Sequence, residues 1–283
     1  MAPNFETAYA KINLALHVQT RRDDGYHDLE SLVAFLDYGD FLEIEPAQTD
    51  SLTVEGEFAA LIGDSSDNLV MQALRWARDR DNPDIPPLAI RLSKYLPVAA
   101  GLGGGSADAA ALLRLLANLG HLHHSLNELR PETASLGADI PACLLSMPLI
   151  MRGIGEQIEV VGDDSLYNIF AVLINPGVPV PTGSVFNTWD RIDHGGLPNG
   201  TALEIALRGR NDLQAPAIAL CPVIGDVIAV LQATNPILAR MSGSGATCFA
   251  LYDDPQKAGW VAGSISRGQP DWWVRAGNLT QWR

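Results

Sequence analysis

A glycine-rich loop that runs directly into a helix is the feature of this sequence best suited to chemistry. The loop is Gly101-Leu-Gly-Gly-Gly-Ser106, and an alanine- and leucine-rich segment follows it to Leu116. Glycines let the backbone approach a ligand closely, and the helix N-terminus presents unpaired N–H groups and the positive end of its dipole. The loop therefore predicts an anion site, with a nucleoside triphosphate as the expected anion.

The loop differs from two common phosphate-binding motifs. The sequence contains no Gly-x-x-x-x-Gly-Lys-Ser/Thr segment, and Ser106 stands where the dinucleotide fingerprint has its third glycine. A flexible hinge is the alternative interpretation, but the glycines directly abut a strong helix, which favours the anion site. A branched side chain at Gly104 is expected to block the phosphates and to demand an unfavourable φ.

Apolar periodicity predicts the strands and helices around this loop. Apolar side chains alternate from Ala8 to Val18, which indicates a strand with one buried face, and Lys11 and Asn13 lie on its other face. Asp67 is placed to cap a helix that ends near Asp79. Further strands are predicted at residues 41–45, 52–54, 88–92, 150–161 and 169–175, and further helices at 126–136, 202–208 and 223–234. This mixture, without a strict βαβ rhythm, predicts an α+β fold.

Length and composition exclude several classes of protein. The chain has 283 residues, enough for two closely packed lobes, and residues 183–200 are expected to form a long surface connection between the lobes. The net charge of −14 would repel a nucleic-acid backbone. Cys143, Cys221 and Cys248 are widely spaced in apolar segments, which predicts buried thiols. No signal peptide or membrane span is expected, because the N-terminal residues show no basic stretch followed by an apolar run and no later apolar run approaches about 20 residues. We therefore expect a cytoplasmic protein without a nucleic-acid, membrane or obligate protein partner.

The ordered motifs of the chain resemble those of the GHMP kinase superfamily. Its characteristic segments match the loop that starts at Pro97, the segment Ala10–Leu14 and the glycine-rich turn Ser242–Thr247. Six segments in order resemble the 4-diphosphocytidyl-2-C-methyl-D-erythritol kinases of that superfamily: Ala10–Leu14, Asp24–His27, Asp37–Asp40, Asp67–Leu69, Gly137–Pro141 and Val180–Thr182. One departure is Ala107, because many relatives carry a second serine there that could contact phosphate or metal.

The resemblance implies the two-lobed GHMP kinase fold, with mixed sheets backed by helices and the active site between the lobes. It implies a nucleotide-binding lobe of residues 1–155 and a substrate-binding lobe of residues 156–283. The residues expected to bind ATP are Lys94, Pro97, Val98, Ala99, Ala100, Gly101, Leu102, Gly103, Gly104, Gly105, Ser106 and Ala107.

The resemblance places the family's catalytic lysine on Lys11 and its catalytic aspartate on Asp139. Phosphoryl transfer needs a cation beside the γ-phosphate and a carboxylate beside the acceptor hydroxyl. Alone, Lys11 would be interpreted as a solvated strand residue and Asp139 as a helix cap or turn residue. The accompanying motifs favour the catalytic roles over these interpretations.

Tyr26, His27 and Phe186 are the residues that the resemblance assigns to a cytosine base. Aromatic rings can stack on the base, and an imidazole can donate and accept at its edge. Tyr26 and His27 would otherwise be exposed turn residues, and Phe186 fits a helix core equally well. Asn13 is expected to contact the same substrate.

The resemblance therefore implies a small-molecule kinase. It would transfer the γ-phosphate of ATP to the C2 hydroxyl of 4-diphosphocytidyl-2-C-methyl-D-erythritol, in the methylerythritol phosphate route to isoprenoids. Mg²⁺ is implied with ATP, and no metal motif is expected because such ions bridge phosphate oxygens and take few protein ligands. Two alternatives remain open: a GHMP kinase for a homoserine- or mevalonate-type alcohol, and a nonenzymatic nucleotide-binding protein. Tyr26 and His27 argue against the first, and Lys11 with Asp139 against the second.

Overall fold

Residues 4–62 and 67–280 are described by a computed structural model. They pack into two units that interleave along the chain. The first unit takes the residues up to Ala10, Gly39–Val98 and Gly103–Ser146, and the second takes Lys11–Tyr38, Ala99–Leu102 and the residues from Met147 onward. Both units therefore receive residues from the glycine-rich loop. The lobe boundary between residues 155 and 156 stays a prediction.

Two long paired strands contribute to both units. Strand β1 (Phe5–Arg21) pairs with β2 (His27–Pro46), and the unit boundary crosses them after Ala10 and after Tyr38. Apolar alternation predicted β1 well, but the expectation of one buried face is wrong. Every residue from 10 to 18 is buried, because the second face of the strand also packs against protein.

The first unit backs its strands with helices. The C-terminal half of β2 pairs with β4 (Leu88–Ser93), which pairs in parallel with β3 (Ser51–Glu55). The helices are α1 (Leu69–Arg80), α2 (Gly104–Asn118), α3 (Leu126–Leu129) and α4 (Ile140–Leu145), and α2 packs on both α1 and α4.

Two local predictions in the first unit need correction. The cap of α1 is Asn68 and not Asp67, since the Asn68 side chain accepts from the Val70 N–H at 2.9 Å. The helix predicted at 126–136 is the short α3 followed by a 3₁₀ turn at Arg130–Ser135. Its second residue, Pro131, lacks the N–H that a continuing α-helix would use.

The second unit contains an antiparallel sheet with a large apolar core. The N-terminal half of β2 pairs with β5 (Leu149–Gly153), which pairs with β6 (Gln157–Val160). A separate sheet has the order β10 (Trp273–Asn278), β7 (Phe170–Asn175), β9 (Cys248–Tyr252), β8 (Leu238–Met241). The helices are α5 (Thr182–Thr188), α6 (Ala202–Arg208), α7 (Gln214–Leu220), α8 (Val223–Gln232) and α9 (Pro255–Gly268).

Several sequence predictions are confirmed or refined in this architecture. Cys143, Cys221 and Cys248 are buried free thiols, as predicted. The segment 183–200, expected to connect the lobes, begins as α5 and becomes irregular only after Thr188. All of its residues belong to the second unit. Within residues 4–62 and 67–280, no helix combines the length and apolar character needed to cross a membrane.

Candidate active site

Lys11 is buried on β1 and is held by its neighbours in the second unit. Its side chain is 5% exposed, and Nζ donates to Asn13 Oδ1 at 3.3 Å. Its backbone N–H donates to Leu102 O at 2.9 Å, which joins the strand to the glycine-rich loop. The interpretation of Lys11 as a solvated strand residue is therefore wrong.

Ser242 connects the Asn13 backbone to the glycine-rich loop. The Ser242 hydroxyl accepts from the Asn13 N–H at 3.1 Å and donates to Gly101 O at 2.7 Å. The side-chain Nδ2 of Asn13 donates to Ser31 Oγ at 2.7 Å, so the side-chain Oδ1 of Asn13 faces the Lys11 ammonium and accepts from it. These buried bonds fix the orientation of the Asn13 side chain, and with it the position of the Lys11 ammonium.

Two glycines of the loop are required by the backbone itself. Gly101 has φ +77°, and a Cβ added there would lie 2.3 Å from Ser242 O. Gly103 has φ +65° and is the N-cap of α2. Gly104 differs, because its φ is not in the left-handed region and an added Cβ would lie 3.5 Å from Lys94 Nζ. The unfavourable φ expected at Gly104 is therefore wrong, and the constraint belongs to Gly101 and Gly103.

The first unit brings the start of α2 near the segment that carries Asp139. A Cβ built on Gly137 would lie 3.8 Å from Ser106 Oγ, in the first turn of α2. Asp139 is the half-buried N-cap residue of α4, but its side chain makes no capping hydrogen bond. Helix capping therefore does not account for the Asp139 carboxylate.

Lys94 is buried between two carboxylates. Its Nζ donates to Asp40 Oδ2 and, at 2.7 Å, to Asp108 Oδ2. Burial acts to lower the pKa of Lys94, but Asp108 and Asp40 raise it above its ordinary value. Burial raises the pKa of Asp108 to about 8, against the lowering effect of Lys94. The prediction that Lys94 binds ATP stays a prediction.

Sequence reasoning missed both acidic partners of Lys94. A lone carboxylate among the alanines and leucines of α2 was the available signal for Asp108, and Asp40 ends a motif matched to the family. The other residues expected to bind ATP are placed differently. Pro97, Ala100, Leu102 and Ala107 are buried, Gly101, Gly103, Gly104 and Ser106 are half-buried, and Val98, Ala99 and Gly105 are exposed.

An aromatic cluster in the second unit joins two of the predicted substrate residues. The rings of His27 and Phe186 stack with centroids 4.7 Å apart, and Trp189 meets His27 edge-on at 5.7 Å. Phe186 also packs against the core of its unit, so the core interpretation holds as well. Tyr26, next to His27, is 60% exposed. Sequence reasoning missed Trp189, which directly follows α5, and an aromatic residue three positions after Phe186 was the available signal.

Burial keeps the His27 ring neutral over a wider pH range. Burial, followed by the positive charge of Arg21, lowers the pKa of His27 below its ordinary value. A neutral imidazole has one donor and one acceptor nitrogen, which suits the edge of a base. Among the residues described by the structure, no group of three His, Cys, Asp or Glu side chains could by itself hold a metal ion.

Family models match both halves of the chain. The N-terminal domain of GHMP kinases matches residues 68–147, and the GHMP kinase C-terminal model matches residues 198–268. Together they cover more than half of the sequence. The chain belongs to the GHMP kinase family.

Full-length relatives place this GHMP kinase more narrowly. It is 49% identical over 281 residues to the 4-diphosphocytidyl-2-C-methyl-D-erythritol kinase of Sphingopyxis alaskensis, which covers 97% of this chain and 98% of that protein. The enzyme of the same name from Novosphingobium aromaticivorans is 48% identical over 274 residues, and this match covers 97% of this chain and 92% of that protein. The GHMP kinase described here is thus a small-molecule kinase of that group, with ATP as phosphate donor.

Solved structures support the same fold. A crystal structure of 4-(cytidine 5'-diphospho)-2C-methyl-D-erythritol kinase superposes with a TM-score of 0.82 and 32% identity, over 98% of this GHMP kinase and all of that chain. The homoserine kinase of Cytophaga hutchinsonii gives a TM-score of 0.67 at 16% identity, over 99% and 96% of the two chains. That second likeness concerns the fold alone.

Proposed function

We propose that this GHMP kinase transfers the γ-phosphate of ATP to the C2 hydroxyl of 4-diphosphocytidyl-2-C-methyl-D-erythritol. The observation that carries the choice of substrate is the stacked pair of His27 and Phe186, with Tyr26 exposed beside it. Stacked rings and a neutral imidazole suit a nucleobase. Homoserine and mevalonate have no base, so a kinase for either alcohol would not need them.

The triphosphate is proposed to bind at the glycine-rich loop and the start of α2. Gly101 and Gly103 allow the backbone to approach the phosphates, and the 15-residue helix α2 directs its N-terminal N–H groups and dipole towards them. Mg²⁺ bound together with ATP would supply neutralisation of charge on the phosphate oxygens. The Ser106 hydroxyl is a hard oxygen donor of the kind that would suit this ion.

Lys11 and Asp139 are proposed to act on the same phosphoryl group. The C2 oxygen forms a bond to the γ-phosphorus while the bond from that phosphorus to the β,γ-bridging oxygen breaks, so ADP leaves with that electron pair. Asp139 accepts the hydroxyl proton, and Lys11 stabilises the charge on the transferring group. Asn13 holds the Lys11 ammonium through its Oδ1.

The cytoplasmic location stays a prediction.

An acceptor panel tests the proposed function. The purified chain is incubated with ATP, Mg²⁺ and the cytidyl substrate, homoserine or mevalonate, and the phosphorylated product is identified by phosphorus NMR. We expect the 2-phosphate of the cytidyl substrate and no product from the other alcohols. Phosphorylation of homoserine or mevalonate in preference to the cytidyl substrate would support the alternative kinase, and ATP binding without turnover would support the nonenzymatic alternative.

A further inference from the structure

We propose that Asp108 is a positioning residue for ATP, which acts through Lys94 and Asp40 on the segments flanking the glycine-rich loop. The inference rests on the proposed function, because it concerns how the same loop is held for the triphosphate. None of the three side chains needs to touch the nucleotide for this role.

Asp40 fixes the backbone that leads into the loop. Its Oδ1 accepts from the Tyr95 N–H at 2.6 Å and from the Leu96 N–H at 2.8 Å, immediately before Pro97. The Lys94 backbone is held as well, since its N–H donates to Glu55 O at 2.7 Å. A fully buried carboxylate with two backbone donors is a rigid attachment point.

Lys94 connects this attachment point to the helix that follows the loop. Its ammonium donates to Asp40 Oδ2 and to Asp108 Oδ2, and Asp108 lies in the second turn of α2. A Cβ added at Gly104 would lie 3.5 Å from Lys94 Nζ and 3.6 Å from Asp40 Oδ2. The connection therefore passes beside the first residue of α2, where the triphosphate is proposed to bind.

The buried cluster of Asp40, Lys94 and Asp108 carries a desolvation cost that packing of the helix core alone would not require. Two carboxylates around one ammonium are desolvated together, and Asp108 Oδ1 is buried without a hydrogen-bond partner among the described residues. Apolar side chains of similar volume usually stabilise such a position as well or better. A role in holding the glycine-rich loop explains the cluster better. Glycines lose much conformational freedom when the loop becomes ordered, and flanking segments that are already fixed reduce the entropy lost when ATP binds.

The connection requires an oxygen acceptor at residue 108 rather than a negative charge. Asp108 Oδ2 accepts from Lys94 Nζ at 2.7 Å, and Asp40 already places a carboxylate beside the same ammonium. An asparagine presents a similar oxygen in a side chain of nearly the same shape, whereas a leucine presents none. Asparagine should therefore preserve the role, and leucine should abolish it.

The test compares Asp108→Leu and Asp108→Asn with Asn82→Leu in the purified full-length chain. Asn82 is a matched control, because its Nδ2 donates to His121 O at 2.8 Å just beyond the C-terminal end of the same helix. Steady-state kinetics give kcat and the KM for each substrate, and thermal unfolding gives the Tm. We expect Asp108→Leu to raise the KM for ATP about tenfold, with kcat and the KM for the cytidyl substrate within about twofold. Asp108→Asn should stay within about threefold of the wild type.

Several outcomes would overturn the inference. They are an unchanged KM for ATP in Asp108→Leu, an equal rise in Asn82→Leu at the same loss of Tm, or an asparagine variant as impaired as the leucine variant. If the leucine variant does not fold, Asp108→Ala makes the same comparison without added volume. Turnover by the wild type separates the two proposals: its absence refutes the proposed function, whereas its presence with a normal Asp108→Leu refutes only the role of Asp108.

Discussion

The imidazole of His27 stacks on the ring of Phe186, with centroids 4.7 Å apart and planes inclined by 30°. The two residues lie 159 positions apart in the chain, at the start of β2 and on α5. Trp189 packs edge-on against His27 and is itself buried. The stack therefore presents a rigid aromatic surface, with Tyr26 next to it in the chain.

Substrate choice should depend on Tyr26. If Tyr26 covers the cytosine base, Tyr26→Ala removes one base stack, worth about 1–3 kcal/mol, and raises the KM for the cytidyl substrate about tenfold to a hundredfold. The KM for ATP should stay near that of the wild type. Tyr167→Ala is the control, since Tyr167 is a similarly exposed tyrosine of the same unit, at 61%. If both changes altered the KM for the cytidyl substrate equally, Tyr26 would be an ordinary exposed turn residue.

The glycines of the loop should not be equivalent. Gly101→Ala forces a side chain into a left-handed backbone and against Ser242 O, which should cost about 1–3 kcal/mol and weaken ATP binding. Gly104→Ala meets only ordinary contacts, so it should be the milder change in calorimetric titrations with ATP. Gly259→Ala, on an exposed helix position with open space, should stabilise the protein by about 0.5–1 kcal/mol. A greater loss of ATP affinity in Gly104→Ala than in Gly101→Ala would contradict the assignment of the backbone constraint to Gly101.

His17 should make the stability of the second unit depend on pH. Its Nε2 accepts from the Arg210 N–H at 3.1 Å, and its Nδ1 lies 3.0 Å from Gly195 O, which fits a neutral ring with a proton on Nδ1. Burial, and then the charge of Arg210, lowers the pKa of His17 below its ordinary value of 6.5, although Asp212 acts in the opposite direction. The unfolded chain therefore takes up this proton first as the pH falls.

The stabilisation from His17 is thus complete above pH 6.5 and is lost as the pH falls below it. His17→Leu removes both hydrogen bonds and the titration. We expect its Tm to lie below that of the wild type near pH 8, with the difference shrinking towards pH 5 as the wild type loses its advantage. A Tm difference that is constant or grows over that range would show that His17 is not held neutral.

The sequence predicts the local features of this fold and site well, and the long-range contacts poorly. Strand β1 and helix α2 follow from apolar periodicity and from the glycines before a strong helix former. The bond from Asn13 to Ser242 joins residues 229 positions apart, and Lys94 meets Asp40 across 54 positions. Such pairings depend on the packing of strands that no local pattern specifies. The same packing buries the second face of β1, which alternation alone predicted to be exposed.

Lys11 and Asp139 should lose activity together because both are proposed to act on one transition state. Lys11→Met removes the charge that stabilises the transferring phosphoryl group, and so should lower kcat. The double variant should lose much less than the product of the two single losses. Independent, fully multiplicative losses would show that the two side chains do not serve one chemical step.

The most direct measurement is kcat for Asp139→Asn with saturating ATP and cytidyl substrate. Asparagine is nearly isosteric with aspartate but cannot accept the hydroxyl proton, so kcat should fall about 10²–10⁴-fold while the Tm and both ligand affinities stay near those of the wild type. Near-normal kcat in a correctly folded Asp139→Asn protein would contradict the proposed role of Asp139 as the group that accepts this proton.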